Sequence, residues 1–380
     1  MSGPVVADLG EAGLLARITP LLPSGRDVLV GPGDDCAVLA APDGRYCVST
    51  DVLVEGRHFR TDWSSGFDVG ARAAAQNLAD IAAMGARPVA LVACLVLPGA
   101  TPVDWVVDLA RGMALRCREA GAAIVGGDLS AGEGLVVAVT VHGDLEGRAP
   151  VLRSGARPGQ ALVLAGAPGR AAAGLALLEA GWGRRDDDEA GLAGAAAVPE
   201  TAAVAGADAA LALAEDCAAV FRAPRPPLEA GPALAGIGAS AMMDVSDSLV
   251  RDCGRIALAS GVVIDIDDPD DDCAALAADR AELEGVAALV PGARSAAGGT
   301  DAAVGTGGIR PDPRETARNW VLTGGEDHGM LATVPADAAR SLPEGARVIG
   351  RVRRAGGAGP GVLVGTRPWS GAQGWDHFRA

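Results

Sequence analysis

Apolar and polar positions alternate along the first part of the chain in a rhythm of short strands and longer helices. Residues 11–18 carry apolar positions at helical spacing and predict a short amphipathic helix. Strand-like runs flank the turn around Asp34 and Asp35, and a β-rich run from Arg45 to Val48 leads into Ser49-Thr50-Asp51. Asp68 to Ala86 is alanine-rich, reaches Gly85 and meets Arg87-Pro88, the pattern of a helix with its stop signal. Asn77 and Asp80 lie three apart in it and so share a face. A buried strand (Val89 to Leu97), a helix (Val103 to Ala120) and a strand (Ala122 to Val125) follow, the last running into Gly126-Gly127-Asp128. Leu135 to His142 reads as one more strand. This is a βαβ-like order with acidic residues at the strand ends.

The polar stretch Arg153-Ser-Gly-Ala-Arg-Pro-Gly follows a boundary near residue 148, giving domains of 1–148 and 149–380. The second opens with a strand (Ala161 to Ala165) and a helix (Ala171 to Ala180). Residues 181–217, rich in alanine and glycine and broken by Pro199, read as helices with loose connections. Ala241-Met-Met-Asp-Val-Ser-Asp-Ser-Leu is a short strand meeting a helix that runs to about Ser260. The acidic run 265–272 and the stretch 291–313 read as solvated loops. Val321-Leu-Thr-Gly-Gly-Glu-Asp-His precedes a strand, Met330 to Val334, and Val348 to Val352 is another. The fold class is mixed α/β.

Length and composition narrow the function. A chain of 380 residues is long enough for two hydrophobic cores. No apolar run is long enough to span a bilayer, and no basic leader precedes one, so a cytoplasmic protein is expected. Seven cysteines, without a Cys-x-x-Cys pair, read as reduced and mostly buried. A net charge of -16 argues against nucleic acid or an acidic membrane as partner. Lysine is absent, so all 32 basic residues are arginine. That rules out a Walker A loop and a kinase-type β3 lysine. Any phosphate bound here must be neutralised mostly by metal ions and backbone N–H groups.

Five acidic stations recur at element junctions: Asp34/Asp35, Asp51, Asp80, Asp128 and Asp244/Asp247. An Asp beside glycine commonly only closes a turn, and Asp247 could serve its helix N-terminus through the macrodipole. Jointly they are harder to explain without cations, because clustered carboxylates repel one another. Carboxylate and hydroxyl oxygens, with no His or Cys among them, suit Mg²⁺ better than zinc. Several ions bridging a nucleoside triphosphate would relieve the repulsion. Gly126-Gly127-Asp128 can bring backbone close to a phosphate, and Arg153 offers a planar fork for phosphate or base.

The motifs GPGDDCAVL (31–39), STDVLVEGRHF (49–59), NLADIAAMGARP (77–88), GGDLSAG (126–132), RSGARPG (153–159), MDVSDSLVRDCGRIA (243–257), LTGGEDH (322–328) and GWDHF (374–378) run in one order over nearly the whole chain. In that order the chain resembles the thiamine-monophosphate kinases, of the superfamily that includes aminoimidazole ribonucleotide synthetase and selenophosphate synthetase. The resemblance implies an aminoimidazole ribonucleotide synthetase-like fold of two α/β domains, a homodimer formed through the N-terminal domain, and an ATP site bounded by both domains. It implies that Asp34, Asp35, Ser49, Thr50, Asp51, Asp80, Asp128, Asp244 and Asp247 hold Mg²⁺. Gly127, Asp128, Arg153 and Ser246 would contact ATP, and His58, Glu326 and Trp375 would face thiamine monophosphate. The implied reaction is direct transfer of the ATP γ-phosphoryl to the phosphate of thiamine monophosphate. Ser248 stands where the family usually has glycine, Leu129 where many members have threonine, and His328 where tyrosine is frequent.

Two rival readings are another ATP-dependent enzyme of the same superfamily and a non-catalytic nucleotide- and metal-binding regulator. Selenophosphate synthetases usually carry a reactive N-terminal cysteine or selenocysteine, and none precedes Cys36.

Overall fold

The computed structural model describes residues 3–32, 37–183, 207–290, 312–372 and 374. Asp34, Asp35 and Trp375 lie outside the described residues, as do 184–206 of the alanine-rich stretch and 291–311 of the expected second loop. Two compact units divide the chain: Met1–Pro150 with Arg222–Pro224, and Val151–Phe221 with Arg225–Ala380.

The first unit contains α1 (Val6–Ile18), β1 (Val28–Val30), β2 (Val38–Leu39), β3 (Cys47–Val54), α2 (Gly66–Ala83), β4 (Arg87–Leu97), α3 (Val103–Ala120), β5 (Ala123–Ala131) and β6 (Val136–Asp144). The sheet order is β3-β6-β4-β5, with β4 and β5 parallel and the other pairs antiparallel. Strands β1 and β2 form a separate ribbon. Ser65 starts α2 with a capping box: it accepts from Asp68 N at 3.2 Å, and Asp68 returns to Ser65 N at 2.8 Å. The helix closes through Gly85, whose φ of 72° is left-handed. Helices α2 and α3 touch backbone to backbone. A Cβ on Gly70 would stand 1.9 Å from Leu109 O, and one on Gly112 would stand 2.0 Å from Phe67 O.

Strand β5 does not end at Val125 as the glycines suggested. It continues to Ala131, because β4 pairs with it as far as Leu97↔Ala131. Asp128 therefore stands within a strand, and so does Asp51 in β3, not at strand ends.

The second unit contains β7 (Ala161–Ala165), α4 (Arg170–Glu179), α5 (Ala207–Arg222), α6 (Ala230–Gly236), β8 (Ala241–Asp244), α7 (Leu249–Ser260), β9 (Val262–Ile266), α8 (Ala277–Leu289), α9 (Pro313–Thr323), β10 (Met330–Val334), β11 (Ala346–Arg354), β12 (Gly361–Val364) and β13 (Arg367–Pro368). Its seven-stranded sheet has the order β13-β12-β9-β11-β7-β10-β8. Only β12 and β9 are parallel in it. Leu162, Leu164, Met243, Ile264 and Leu331 from the strands pack with Leu249, Ile256, Leu283 and Trp320 from the helices into one core. The acidic run is not wholly a loop, since Asp265 and Ile266 finish β9.

Among the described residues no helix is long and apolar enough to cross a membrane. Of the six described cysteines, all free, only Cys117, Cys217 and Cys253 are buried. Cys94 and Cys273 are exposed, which corrects the expectation that most are buried. Cys94 is exposed because it pairs with Asp128 and Ala138 on the sheet face that α2 does not cover.

Candidate active-site residues

In the first unit the alternation of β3 sorts its side chains. Ser49 and Asp51 turn toward α2, and Val48, Thr50 and Val52 turn to the opposite, open face. Ser49 donates its hydroxyl to Asp80 Oδ2 at 2.6 Å. The backbone N–H of Asp51 donates to Asn77 Oδ1 at 3.1 Å, and Asn77 donates to Ala73 O at 2.8 Å. One turn of α2 thus supplies both Asn77 and Asp80 to β3, as their shared face predicted. Thr50 points away from this group and spends its hydroxyl on Val139 O at 2.9 Å.

Asp128 is not brought to Asp51 within this unit. Through the pairs Asp128↔Cys94, Cys94↔Ala138 and Ala138↔Val52 it belongs to the open face, three strands from β3. There Ser130 donates to Asp128 Oδ2 at 3.0 Å. Gly127 is a glycine for the sake of its neighbouring strand, since a Cβ would lie 1.9 Å from Ala93 O. Gly126, Gly127 and Asp128 line one side of a cavity of about 680 Å³ whose other walls include Leu15, Val92 and Met113.

His58 follows β3 in a tight turn. Its N–H donates to Val54 O, and Val54 N donates to His58 Nδ1, both at 3.0 Å. Nδ1 is therefore an acceptor and the ring proton sits on Nε2.

In the second unit three loops meet. Asp252, fully buried in the first turn of α7, accepts on Oδ2 from the backbone N–H groups of Ser246, Asp247 and Ser248 at 3.1, 3.1 and 3.2 Å. Its Oδ1 accepts from Arg255 at 2.6 Å, and the same guanidinium reaches Asp247. Burial pushes the Asp252 carboxyl up, against the pull of Arg255, to about 6. Ser248, the departure from the usual glycine, is buried and extended, and its hydroxyl caps α7 by accepting from Arg251 N at 3.1 Å. The position needs no left-handed backbone, so serine fits and adds a cap.

The loop after α9 lies against 245–248. Glu326 N donates to Ser246 O at 2.8 Å and His328 N to Val245 O at 3.0 Å. Gly325 permits this contact, since a Cβ there would sit 2.3 Å from Ser246 O. Asp327 turns the other way, accepting from Gly169 N at 2.6 Å and Ala171 N at 2.7 Å at the start of α4. Burial raises the Asp327 carboxyl to about 6, although both N–H groups pull it down. His328, also buried, places Nδ1 3.0 Å from Asp244 Oδ2 and Nε2 3.4 Å from Glu326 Oε2. Burial alone would lower its pKa, but the bond to Asp244 and the Glu326 carboxylate outweigh it and raise it to about 10. Arg153 is exposed at its side chain, and its carbonyl is pinned by Ser260 at 2.8 Å.

The hard-oxygen donors fit magnesium. Among the described residues no group of three His, Cys, Asp or Glu side chains is arranged to hold a metal ion by itself. One or two carboxylates with phosphate and water oxygens are the ligand set Mg²⁺ usually takes. Sequence reasoning missed Asp252, Asp327 and His328 as organisers of the second unit. The available signal was an acid in the first turn of α7, just after the loop whose N–H groups it binds.

Residues 33–145 match the family described as AIR synthase related protein, N-terminal domain. Over 376 residues the chain is 42% identical to the thiamine-monophosphate kinase of Mycobacterium tuberculosis (strain CDC 1551 / Oshkosh), covering 99% of this chain and 93% of that protein. The crystal structure of thiamine-monophosphate kinase from Stenotrophomonas maltophilia K279a matches with a TM-score of 0.68 and 28% identity, covering 94% of this chain and 95% of that one. A structure of AaThiL complexed with AMPPCP and TMP matches with a TM-score of 0.64 and 25% identity, covering 98% of each chain. With an identity of 42% across almost its full length, and with the mixed α/β fold of those structures, the chain belongs to the thiamine-monophosphate kinase family.

Proposed function

We propose that this protein phosphorylates thiamine monophosphate with ATP, giving thiamine diphosphate and ADP. The observation that carries the reading is the full-length similarity to thiamine-monophosphate kinases, together with the intact order of the acidic stations. A relative of the same fold is complexed with AMPPCP and TMP, a nucleotide analogue and the proposed acceptor.

Magnesium ions, several of them, complete the reading as Lewis acids and a template on the phosphates. Asp51, Asp80 and Ser49 hold metal from one face of the first sheet, and Asp128 holds it from the other, with Thr50, Asp34 and Asp35 as further ligands. Asp244 and Asp247 do the same in the second unit. Gly127, Asp128, Arg153 and Ser246 bind ATP. His58 presents Nε2–H to thiamine monophosphate, and Glu326, with Trp375, faces its cationic thiazolium. The acceptor phosphate is already ionised at neutral pH, so these residues need to position and neutralise, and no general base is required. The open face of the first sheet carries Val48 and Val52, 61% and 45% exposed, which supports a homodimer formed through this face. We place the enzyme in the cytoplasm, where ATP is at hand.

A substrate panel tests the reading. Thiamine monophosphate should be phosphorylated, whereas thiamine, an aminoimidazole ribonucleotide precursor and selenide should not. Turnover of one of the others in its place would move the chain to another branch of the superfamily. ATP binding without any turnover would make it a regulator.

A further inference from the structure

Three consecutive residues in the second unit form a divided anchor. Asp327 faces α4 and is held by two backbone N–H groups. Glu326 and His328, on either side of it, both have left-handed backbone, with φ of 68° and 51°. Non-glycine residues adopt that conformation at a cost, and such outliers concentrate where a side chain has to be aimed. Here the result is that Glu326 and His328 stand together on the side away from α4. His328 is 4% exposed and so cannot exchange its contacts for water. Its ring lies between two carboxylates, with Nδ1 on Asp244 at the end of β8 and Nε2 toward Glu326.

We propose that His328 is a positioning residue that sets Asp244 and Glu326 relative to one another, so that what one carboxylate binds is coupled to what the other binds. This rests on the reading in which Asp244 holds magnesium and Glu326 faces thiamine monophosphate. The ring occupies Asp244 Oδ2 and so fixes the orientation of that buried carboxylate. It keeps Glu326 from swinging toward Asp244, where two unbridged carboxylates would repel one another. Such outer contacts orient a ligand without touching what it binds.

The two ring nitrogens can be tested separately in steady-state turnover of thiamine monophosphate. His328→Asn keeps a donor near the Nδ1 position and tolerates left-handed backbone, but it cannot reach Glu326. His328→Gln keeps a donor near Nε2 and gives up Nδ1. With His328→Asn, KM for thiamine monophosphate should rise about tenfold and half-saturating Mg²⁺ only about threefold. With His328→Gln, half-saturating Mg²⁺ should rise about tenfold and KM for thiamine monophosphate only about threefold. A packing role alone would move both quantities by the same factor in each variant, and that result, or no change in either variant, overturns the proposal.

If neither replacement folds, Glu326→Gln probes the same link from the other end. It should shift half-saturating Mg²⁺ about threefold through His328, although Glu326 is no metal ligand. An unchanged Mg²⁺ dependence would overturn the coupling. Wild-type protein without turnover would remove the functional reading and this inference with it, whereas active wild type with unsplit variants would remove the inference alone.

Discussion

Ser49 on β3 donates its hydroxyl to Asp80 on α2 across 2.6 Å, joining a strand to a helix through an oxygen pair on the covered face of the first sheet. That bond ties Asp80 to the strand that also carries Asp51, whose backbone N–H donates to Asn77 on the same helix. Asp51→Asn and Asp80→Asn keep shape and hydrogen bonding but remove charge. Each should lower kcat at least about a hundredfold, with the melting midpoint falling by no more than about 4 °C. Parallel kinetics and thermal unfolding check this, and near-wild-type turnover in both variants would end the assignment of metal to this face.

Ser248 caps α7 and is buried. Ser248→Ala should destabilise the protein by about 1 kcal/mol, and Ser248→Gly by only a few tenths. Thermal unfolding of the two variants side by side distinguishes this from a purely functional role, in which alanine and glycine would unfold alike.

Asp327 titrates in the folded state at about 6, above its ordinary value of 3.8. A raised carboxyl binds its proton more readily folded than unfolded. Its contribution to stability is therefore greatest below about pH 4 and is lost as pH rises through about 6. Asp327→Asn cannot titrate. The melting-midpoint advantage of wild type over this variant should shrink between pH 5 and pH 7. An advantage that grows over that interval would mean that the carboxyl is held low, not high.

Gly70 brings α2 onto α3 with no room for a methyl group, 1.9 Å from Leu109 O. Gly70→Ala should destabilise the first unit by about 1–3 kcal/mol or prevent folding. The exposed Gly134, with open space around it and no left-handed backbone, serves as the control for expression and unfolding.

Much of this fold was legible in local pattern. The helix Val103–Ala120 and the strands Ala161–Ala165 and Met330–Val334 have the bounds that their periodicity and flanking turns indicated. Helices α8 and α9 were overlooked although their signals were present. Apolar positions 277, 283, 286 and 287 lie on one face of α8, and Asp312-Pro313 is a good start for α9. The site was legible as residue types and much less so as geometry. That Asn77 and Asp80 act together follows from helical spacing, but the opposite facing of Asp51 and Asp128 depends on register across four strands, which no local stretch encodes. The gripping of the 245–248 loop by Asp252, and the reach of His328 to Asp244, likewise join residues through burial and backbone conformation rather than through spacing.

The central claim is tested most directly by incubating the purified protein with ATP, Mg²⁺ and thiamine monophosphate and following all products together. The account predicts thiamine diphosphate and ADP in equal amounts, with none formed when Mg²⁺ is removed by chelation. ADP without thiamine diphosphate, or no product at all from protein that still binds ATP, would contradict it.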